Sequence, residues 1–292
     1  MASVLEHRGY LLHLTHYDPP HVAGKAREAG WEPAVARRVV DAAAEAGFNL
    51  LLVGVSDGIE YASHPELKRH YSRPGEELRA LADYARERGL EVGAKLNLSE
   101  SEINCHSHWM RAPGEAWYDH FDDDYYWRTA FECIDEVIGL CRPERFFHVG
   151  MDEDHNRSCR QFVAAVRRLD AGVQERGLTT LTWSDSGIDY ASGDVYVEKS
   201  ERAEADPELD VVRVLWHYRL VPEAAARRIR EEGKRLWCAP GWRDLAQAGR
   251  FRDLTKELGG EGILMTNWQV ANGENEADLL GRIREAGAVF NG

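Results

Sequence analysis

Residues 74–97 read PGEELRALADYARERGLEVGAKLN, and the order of residue types in this stretch decides the fold. The run 74–88 is long and amphipathic, as a helix with one apolar face must be. Gly89 closes it, because the residue just past a helix end often turns left-handed and glycine does so without strain. The run 91–97 is then short and mostly apolar, the length of one strand.

The same grammar extends in both directions. Upstream, 10–14 is a first strand-like run, the Ala/Val/Arg-rich segment 33–46 predicts a helix, and NLLLVGV at 49–55 predicts a second strand. Pro33 stands at a first helical turn, where its missing N–H is not needed, and Gly47 supplies the stop. Downstream, helix 125–140 leads to strand 145–151, and helix 159–176 ends at Gly177 before strand 179–183. The later units are strand 211–216, helix 222–232 with Gly233, strand 234–239, helix 243–258 with Gly259 and Gly260, strand 262–267 and helix 275–286.

Eight strand-like runs, each followed by a helix or a segment long enough to cross over, predict an α/β fold of parallel strands closed into a (β/α)8 TIM barrel. A doubly wound open sheet is the alternative. The weak unit is the fifth. Between Trp183 and Val211 the chain is polar and poorly periodic, so a degraded fifth helix is expected there, or a short extra strand at 194–198. A chain of 292 residues, 43% of them hydrophobic, fits two ordinary domains or one large barrel. With no linker, low-complexity tract or repeat to divide it, residues 1–292 are expected to form a single catalytic domain.

Composition narrows the partners. A formal charge of -14, from 36 Lys+Arg against 50 Asp+Glu, argues against nucleic acid and anionic membranes, since polyanion binding rests on a basic surface. The N-terminus lacks the basic start and apolar core of a secretory signal, and no run reaches the ~18 apolar residues of a membrane span. Five cysteines, an odd number without paired-motif spacing, suit reduced thiols in a cytoplasm. The oligomeric state is not legible.

In a (β/α)8 barrel the chemistry belongs at the C-terminal ends of the strands. Here those ends carry His16, Tyr17 and Asp18; Ser56 and Asp57; Lys95 and Asn97; Asp152 and Glu153; Trp183 and Asp185; Trp216 and Tyr218; Gly241 and Trp242; Asn267, Trp268 and Gln269. The last four strands each deliver a tryptophan to one rim, which predicts an aromatic pocket of the kind a sugar ring packs against. The fourth strand runs FFHVGMDEDH over 146–155. Strand alternation predicts that Phe146, His148, Gly150 and Asp152 share the interior side, with Glu153 opening the loop above the same cavity. An Asp-Glu pair that merely caps the following helix is the structural alternative.

At these residues the sequence resembles the family-20 glycoside hydrolases, the β-N-acetylhexosaminidases. Their His-x-Gly-Gly-Asp-Glu signature is matched by His148-Val149-Gly150-Met151-Asp152-Glu153. The likeness continues in GEELRALADYARERGLEVGAKLN before it and in LTWSDS, VLWHY and ILMTNW after it. The resemblance implies a retaining, substrate-assisted hydrolysis of a terminal β-linked N-acetylhexosamine. Glu153 would be the general acid and Asp152 the charged group that orients the 2-acetamido carbonyl, with no separate protein nucleophile. A negative Asp152 disfavours ionisation of its neighbour and would help hold Glu153 protonated. His148, Trp183, Asp185, Trp216, Tyr218, Trp242 and Trp268 would shape the sugar subsite, with no cofactor and no metal.

The sequence departs from that pattern at several points. Met151 replaces the second glycine, Thr15-His16 stands where the family has arginine, Lys95 and Asn97 where acidic residues are common, and Gln269 where glutamate is usual. After strand seven the family's tyrosine is out of register; Trp242 is near, and Tyr218 is the candidate substitute. Two other readings are therefore kept. One is a two-carboxylate glycosidase using Asp185 or Glu198 as nucleophile on a sugar without an acetamido group, and the other is a non-catalytic carbohydrate-binding barrel. The segment Asn104-Cys105-His106-Ser107-His108 lacks the rest of a zinc ligand set. The run Asp122-Asp123-Asp124 reads as an N-terminal charge run ahead of a helix.

Overall fold

The computed structural model describes residues 5–15, 29–100, 108–110, 122–188, 196–241 and 245–292. Eight parallel strands close into a barrel: β1 (His7–His13), β2 (Leu50–Gly54), β3 (Glu91–Lys95), β4 (Phe146–His148), β5 (Thr179–Ser184), β6 (Val212–His217), β7 (Arg235–Pro240) and β8 (Gly262–Met265). Each strand is followed by a helix: α1 (Pro33–Glu45), α2 (Gly75–Glu87), α3 (Asp124–Cys141), α4 (Cys159–Glu175), α5 (Tyr196–Glu204), α6 (Glu223–Glu231), α7 (Leu245–Glu257) and α8 (Glu276–Phe290). Strand order follows chain order, and β1 pairs with both β2 and β8, which excludes the open sheet. Outside the barrel, Ile59–Glu60 and Arg73–Pro74 pair as a small parallel ladder.

The stretch that announced the fold becomes α2 and β3, with Gly89 at φ +80 between them. Two expectations are corrected. The fifth helix is not degraded: α5 is a nine-residue helix, and Tyr196–Glu198 lie in it rather than in an extra strand. Its buried residues are Val197, Lys199, Ser200, Ala203 and Glu204. Three of the five are polar, so the face that packs inward carries no apolar period. β4 is also shorter than expected, stopping at His148, because Gly150 and Met151 both take positive φ and leave the pleat.

Two cores flank the sheet. The outer one lies between strands and helices and holds, among others, Val35, Val39, Leu78, Leu81, Ile134, Val166, Ile229 and Ile283. The inner one fills the barrel with Leu11, Leu50, Leu52, Leu181, Val212, Val214 and Leu264. Each such side chain contributes about 1.5–3 kcal/mol when fully buried. At the N-terminal end of the barrel His7, Phe146 and Trp237 pack together, with ring centroids 4.9–5.0 Å apart.

Register then sets the mouth. His13 of β1, Gly54 of β2, Lys95 of β3 and His148 of β4 are successive cross-strand partners. A side chain at Gly54 would meet the His13 ring at 2.8 Å, so the glycine makes room for the imidazole. β1, β3 and β4 thus present a polar row with room made for it by Gly54 of β2, whereas β5, β6 and β8 lead to Trp183, Trp216 and Trp268 at the inner cluster.

Candidate active site

The polar row is fully buried at His13, Lys95 and His148. Burial and the Lys95 charge hold both histidines well below the ordinary imidazole range, so both rings are neutral. His148 Nδ1 accepts the Gly150 N–H at 3.0 Å, which leaves the ring proton on Nε2. That Nε2–H and the Trp183 indole N–H are buried donors with no acceptor among the described residues. Lys95 is itself pushed down to about 8 by burial, against an opposing pull from Asp152. Its Nζ lies 6.0 Å from the ring centres of both Trp183 and Trp268, within cation–π reach.

The carboxylate pair is delivered by a turn, not by strand alternation. Gly150 sits at φ +77, Met151 at φ +75 and Glu153 at φ +49. A Cβ on Gly150 would fall 2.2 Å from Asn97 Oδ1, so the turn packs directly on the end of β3. Asn97 Nδ2 donates to Asp152 Oδ1 at 2.8 Å, while its Oδ1 accepts from Ser99 Oγ at 2.9 Å. Asp152 is only 4% exposed, and Glu153 is half-buried beside it. The pair does not cap the next helix. α4 is capped by Ser158, which forms a reciprocal capping box with Gln161.

Asp185 joins the pair to the aromatic wall. One of its oxygens accepts the Glu153 backbone N–H at 2.8 Å, and the other accepts the Trp216 indole N–H at 2.7 Å. Burial, followed by the charges of Asp152 and Glu153, raises its carboxyl well above the usual range. With no exposed surface and both oxygens engaged, Asp185 braces Glu153 and Trp216 from behind. The wall itself is Trp183, Trp216, Tyr218 and Trp268, all in the inner cluster. Trp183 lies 4.4 Å from His148 and 5.9 Å from Trp268, and Trp216 lies 5.0 Å from Tyr218. Tyr218 packs over Gly241, where a Cβ would meet its ring at 2.2 Å.

Behind the turn lies a buried ionic network that the sequence did not reveal. Asp154 accepts from Glu100 N at 2.8 Å, from Arg157 N at 2.9 Å and from Arg157 Nη1 at 2.7 Å. Arg157 also donates to Leu98 O at 3.0 Å and to Asp122 at 2.9 Å. Lys199 of α5 reaches the Asp154 carbonyl. Asp154 and Arg157 are only three positions apart, but Leu98, Glu100, Asp122 and Lys199 are brought to them by the closing of the barrel, and no local signal marks those as partners. Asp123 of the acidic run caps α3 by accepting the Tyr126 N–H at 2.7 Å.

Of the sequence-predicted site, Asp152, Glu153, His148, Trp183, Asp185, Trp216, Tyr218 and Trp268 come together at the barrel's C-terminal end. Trp242 lies outside the described residues, as do His16, Tyr17 and Asp18 of the first strand end and residues 104–107 of the histidine-rich segment. Glu198 is on the outer side of α5, 54% exposed and paired with Arg202. Among the described residues no helix is long and apolar enough to cross a membrane.

No protein-family model matches the sequence, and no curated protein matches it either. Solved structures do. A mutant β-hexosaminidase from Streptomyces plicatus, in complex with its product GlcNAc, matches 99% of this chain with a TM-score of 0.69 at 16% identity. The GH20 β-N-acetylhexosaminidase from Streptomyces coelicolor A3(2) matches 99% of it with a TM-score of 0.64 at 18% identity. In both cases the match covers 64% of the other chain, so this chain spans less than two-thirds of those proteins. Dispersin B gives a TM-score of 0.60 at 14% identity and is matched over 99% of both chains. At such identities the likeness speaks for the backbone arrangement alone: the chain has the barrel fold of the solved β-N-acetylhexosaminidases.

Proposed function

We propose that this chain is a retaining glycoside hydrolase that removes terminal β-linked N-acetylhexosamine by substrate-assisted catalysis. The observation that carries the reading is the Asp185 carboxylate. By holding the Glu153 backbone and the Trp216 indole on its two oxygens, it sets the acid pair against the aromatic wall. A pyranose offers C–H faces to indoles and oxygens to donors. Trp216 and Trp268 supply aromatic faces, and beside them lie the buried N–H groups of His148 and Trp183, which have no acceptor among the described residues. The fold neighbours solved with GlcNAc favour an amino sugar.

In the reaction, Glu153 donates a proton to the glycosidic oxygen as the C1–O bond breaks. The 2-acetamido carbonyl oxygen of the substrate forms the new bond to C1, while Asp152, fixed by Asn97, stabilises the positive charge that develops on the acetamido nitrogen. Water then opens the cyclic intermediate, giving a proton back to Glu153, so the configuration at C1 is retained. The burial of Asp185, with no exposed surface, and the outward, Arg202-paired position of Glu198 speak against either as a protein nucleophile. The described free thiols, three of the four buried, suit a reducing compartment.

The test is hydrolysis of nitrophenyl N-acetyl-β-glucosaminide by wild type and Glu153→Gln. Loss of the general acid is expected to lower kcat by roughly 10²–10⁴-fold. No wild-type turnover, or equal turnover by both proteins, refutes the reading. A thiazoline mimic of the cyclic intermediate should inhibit competitively; hydrolysis that the mimic leaves untouched would point to a sugar lacking the acetamido group.

A further inference from the structure

α5 presents three polar side chains to the protein interior, and each grips a loop that carries a carboxylate of the site. Lys199 Nζ donates to the Asp154 carbonyl at 2.5 Å and lies 3.4 Å from its Oδ1. Ser200 Oγ accepts the Asp185 N–H at 3.1 Å. Glu204 accepts from Ser184 and Ser186, the two residues flanking Asp185. Asp185 in turn accepts the N–H of Glu153.

These contacts bracket one residue. Glu153 is held on its N-terminal side by Asp185, which rests on Ser200, and on its C-terminal side through the Asp154 carbonyl, which rests on Lys199. Between the two anchors Glu153 adopts φ +49, a conformation that a non-glycine residue leaves unless its surroundings fix it. Burying a lysine is unfavourable unless its ammonium is paired, and here its partners are the carbonyl and carboxylate of Asp154, the residue next to Glu153.

We infer that Lys199 and Ser200 of α5 are positioning residues that set the conformation of the acid, Glu153. The inference rests on the reading of Glu153 as the general acid. Neither residue touches the reacting atoms. Each acts through the loop it holds, and a misplacement of about 1 Å in a catalytic group can lower a rate by ~10²-fold.

Three proteins test it: wild type, Lys199→Met and Ser200→Ala, each assayed on the aryl N-acetylglucosaminide well below its melting temperature. Lys199→Met is expected to lose roughly 10–100-fold in kcat with KM within about threefold of wild type, and Ser200→Ala roughly 3–10-fold. Amide hydrogen exchange at Glu153 is read on the same proteins and does not depend on turnover; it should be faster in both variants. A merely structural tie would lower the melting temperature while leaving kcat per folded molecule and Glu153 exchange at wild-type values, and that result overturns the inference. If Lys199→Met does not fold, Ser200→Ala decides by the same two readouts. An inactive wild type with faster Glu153 exchange in the variants would instead sink the glycosidase reading and leave the positioning role standing.

Discussion

Replacing Lys95 by methionine is expected to stabilise the protein near neutral pH. The ammonium is fully buried, and its surroundings, the opposing pull of Asp152 included, bring it from 10.5 down to about 8. That displacement corresponds to about 3 kcal/mol of net preference for the uncharged amine. Below pH 8 the lysine is protonated in both folded and unfolded chains, so the folded state carries the whole penalty. Between pH 8 and 10.5 the folded protein releases the proton while the unfolded chain keeps it, and the penalty shrinks by about 1.4 kcal/mol per pH unit. Methionine fills a similar volume with no charge to desolvate. Lys95→Met should therefore be about 3 kcal/mol more stable at pH 7, roughly 5–10 °C in melting temperature for a chain of this size, and the gap should close toward pH 10. Urea unfolding of both proteins at pH 7, 8, 9 and 10 measures it. A less stable variant at pH 7, or a gap that does not change with pH, refutes the reasoning. The same variant should turn over more slowly, because Asp152 loses the charge of Lys95; stability gained at the expense of activity would identify Lys95 as retained for the site.

Two further substitutions probe the turn. Gly150→Ala places a Cβ 2.2 Å from Asn97 Oδ1 on a backbone at φ +77, and should cost about 2–4 kcal/mol in urea unfolding and lower kcat by roughly 10²-fold as Asn97 is pushed off Asp152; wild-type stability and kcat would mean that the close approach is absent. Met151 is fully buried at φ +75, so truncation to alanine or glycine should cost about 2–5 kcal/mol, with glycine no worse than alanine because it alone escapes the left-handed strain. An alanine variant about 1 kcal/mol more stable than the glycine variant, the usual order elsewhere, would show that residue 151 is not left-handed.

The barrel was legible because each unit announces its own ends. Gly89 and the run 91–97 identify α2 and β3 without reference to the rest of the chain, and the tryptophans of β5 and β6 reach the mouth because strand register fixes their height, while Trp268 follows three residues after β8. α5 escaped because Lys199, Ser200 and Glu204 interrupt an inward face that has only Val197 and Ala203 as apolar residues, too few to show a period. The turn after β4 was misread for a related reason. Alternation holds only while the pleat lasts, and Gly150 and Met151 end it, so Asp152 reaches the interior through the grip of Asn97. Of the residues that hold the pair, Asp154 and Arg157 are near neighbours in sequence, but Asn97 and Lys199 lie about fifty positions to either side of them, and a linear reading has no means of bringing those into contact.

The packing of His7, Phe146 and Trp237 stoppers the barrel at the end away from the carboxylates. Among the described residues the barrel is thus closed at that end, which leaves access to the end that carries the carboxylates. On the proposed function, a sugar held deepest must leave by the route through which the next molecule arrives, and so blocks its own successor. Rates measured late in a reaction will then reflect congestion at that entrance as well as chemistry.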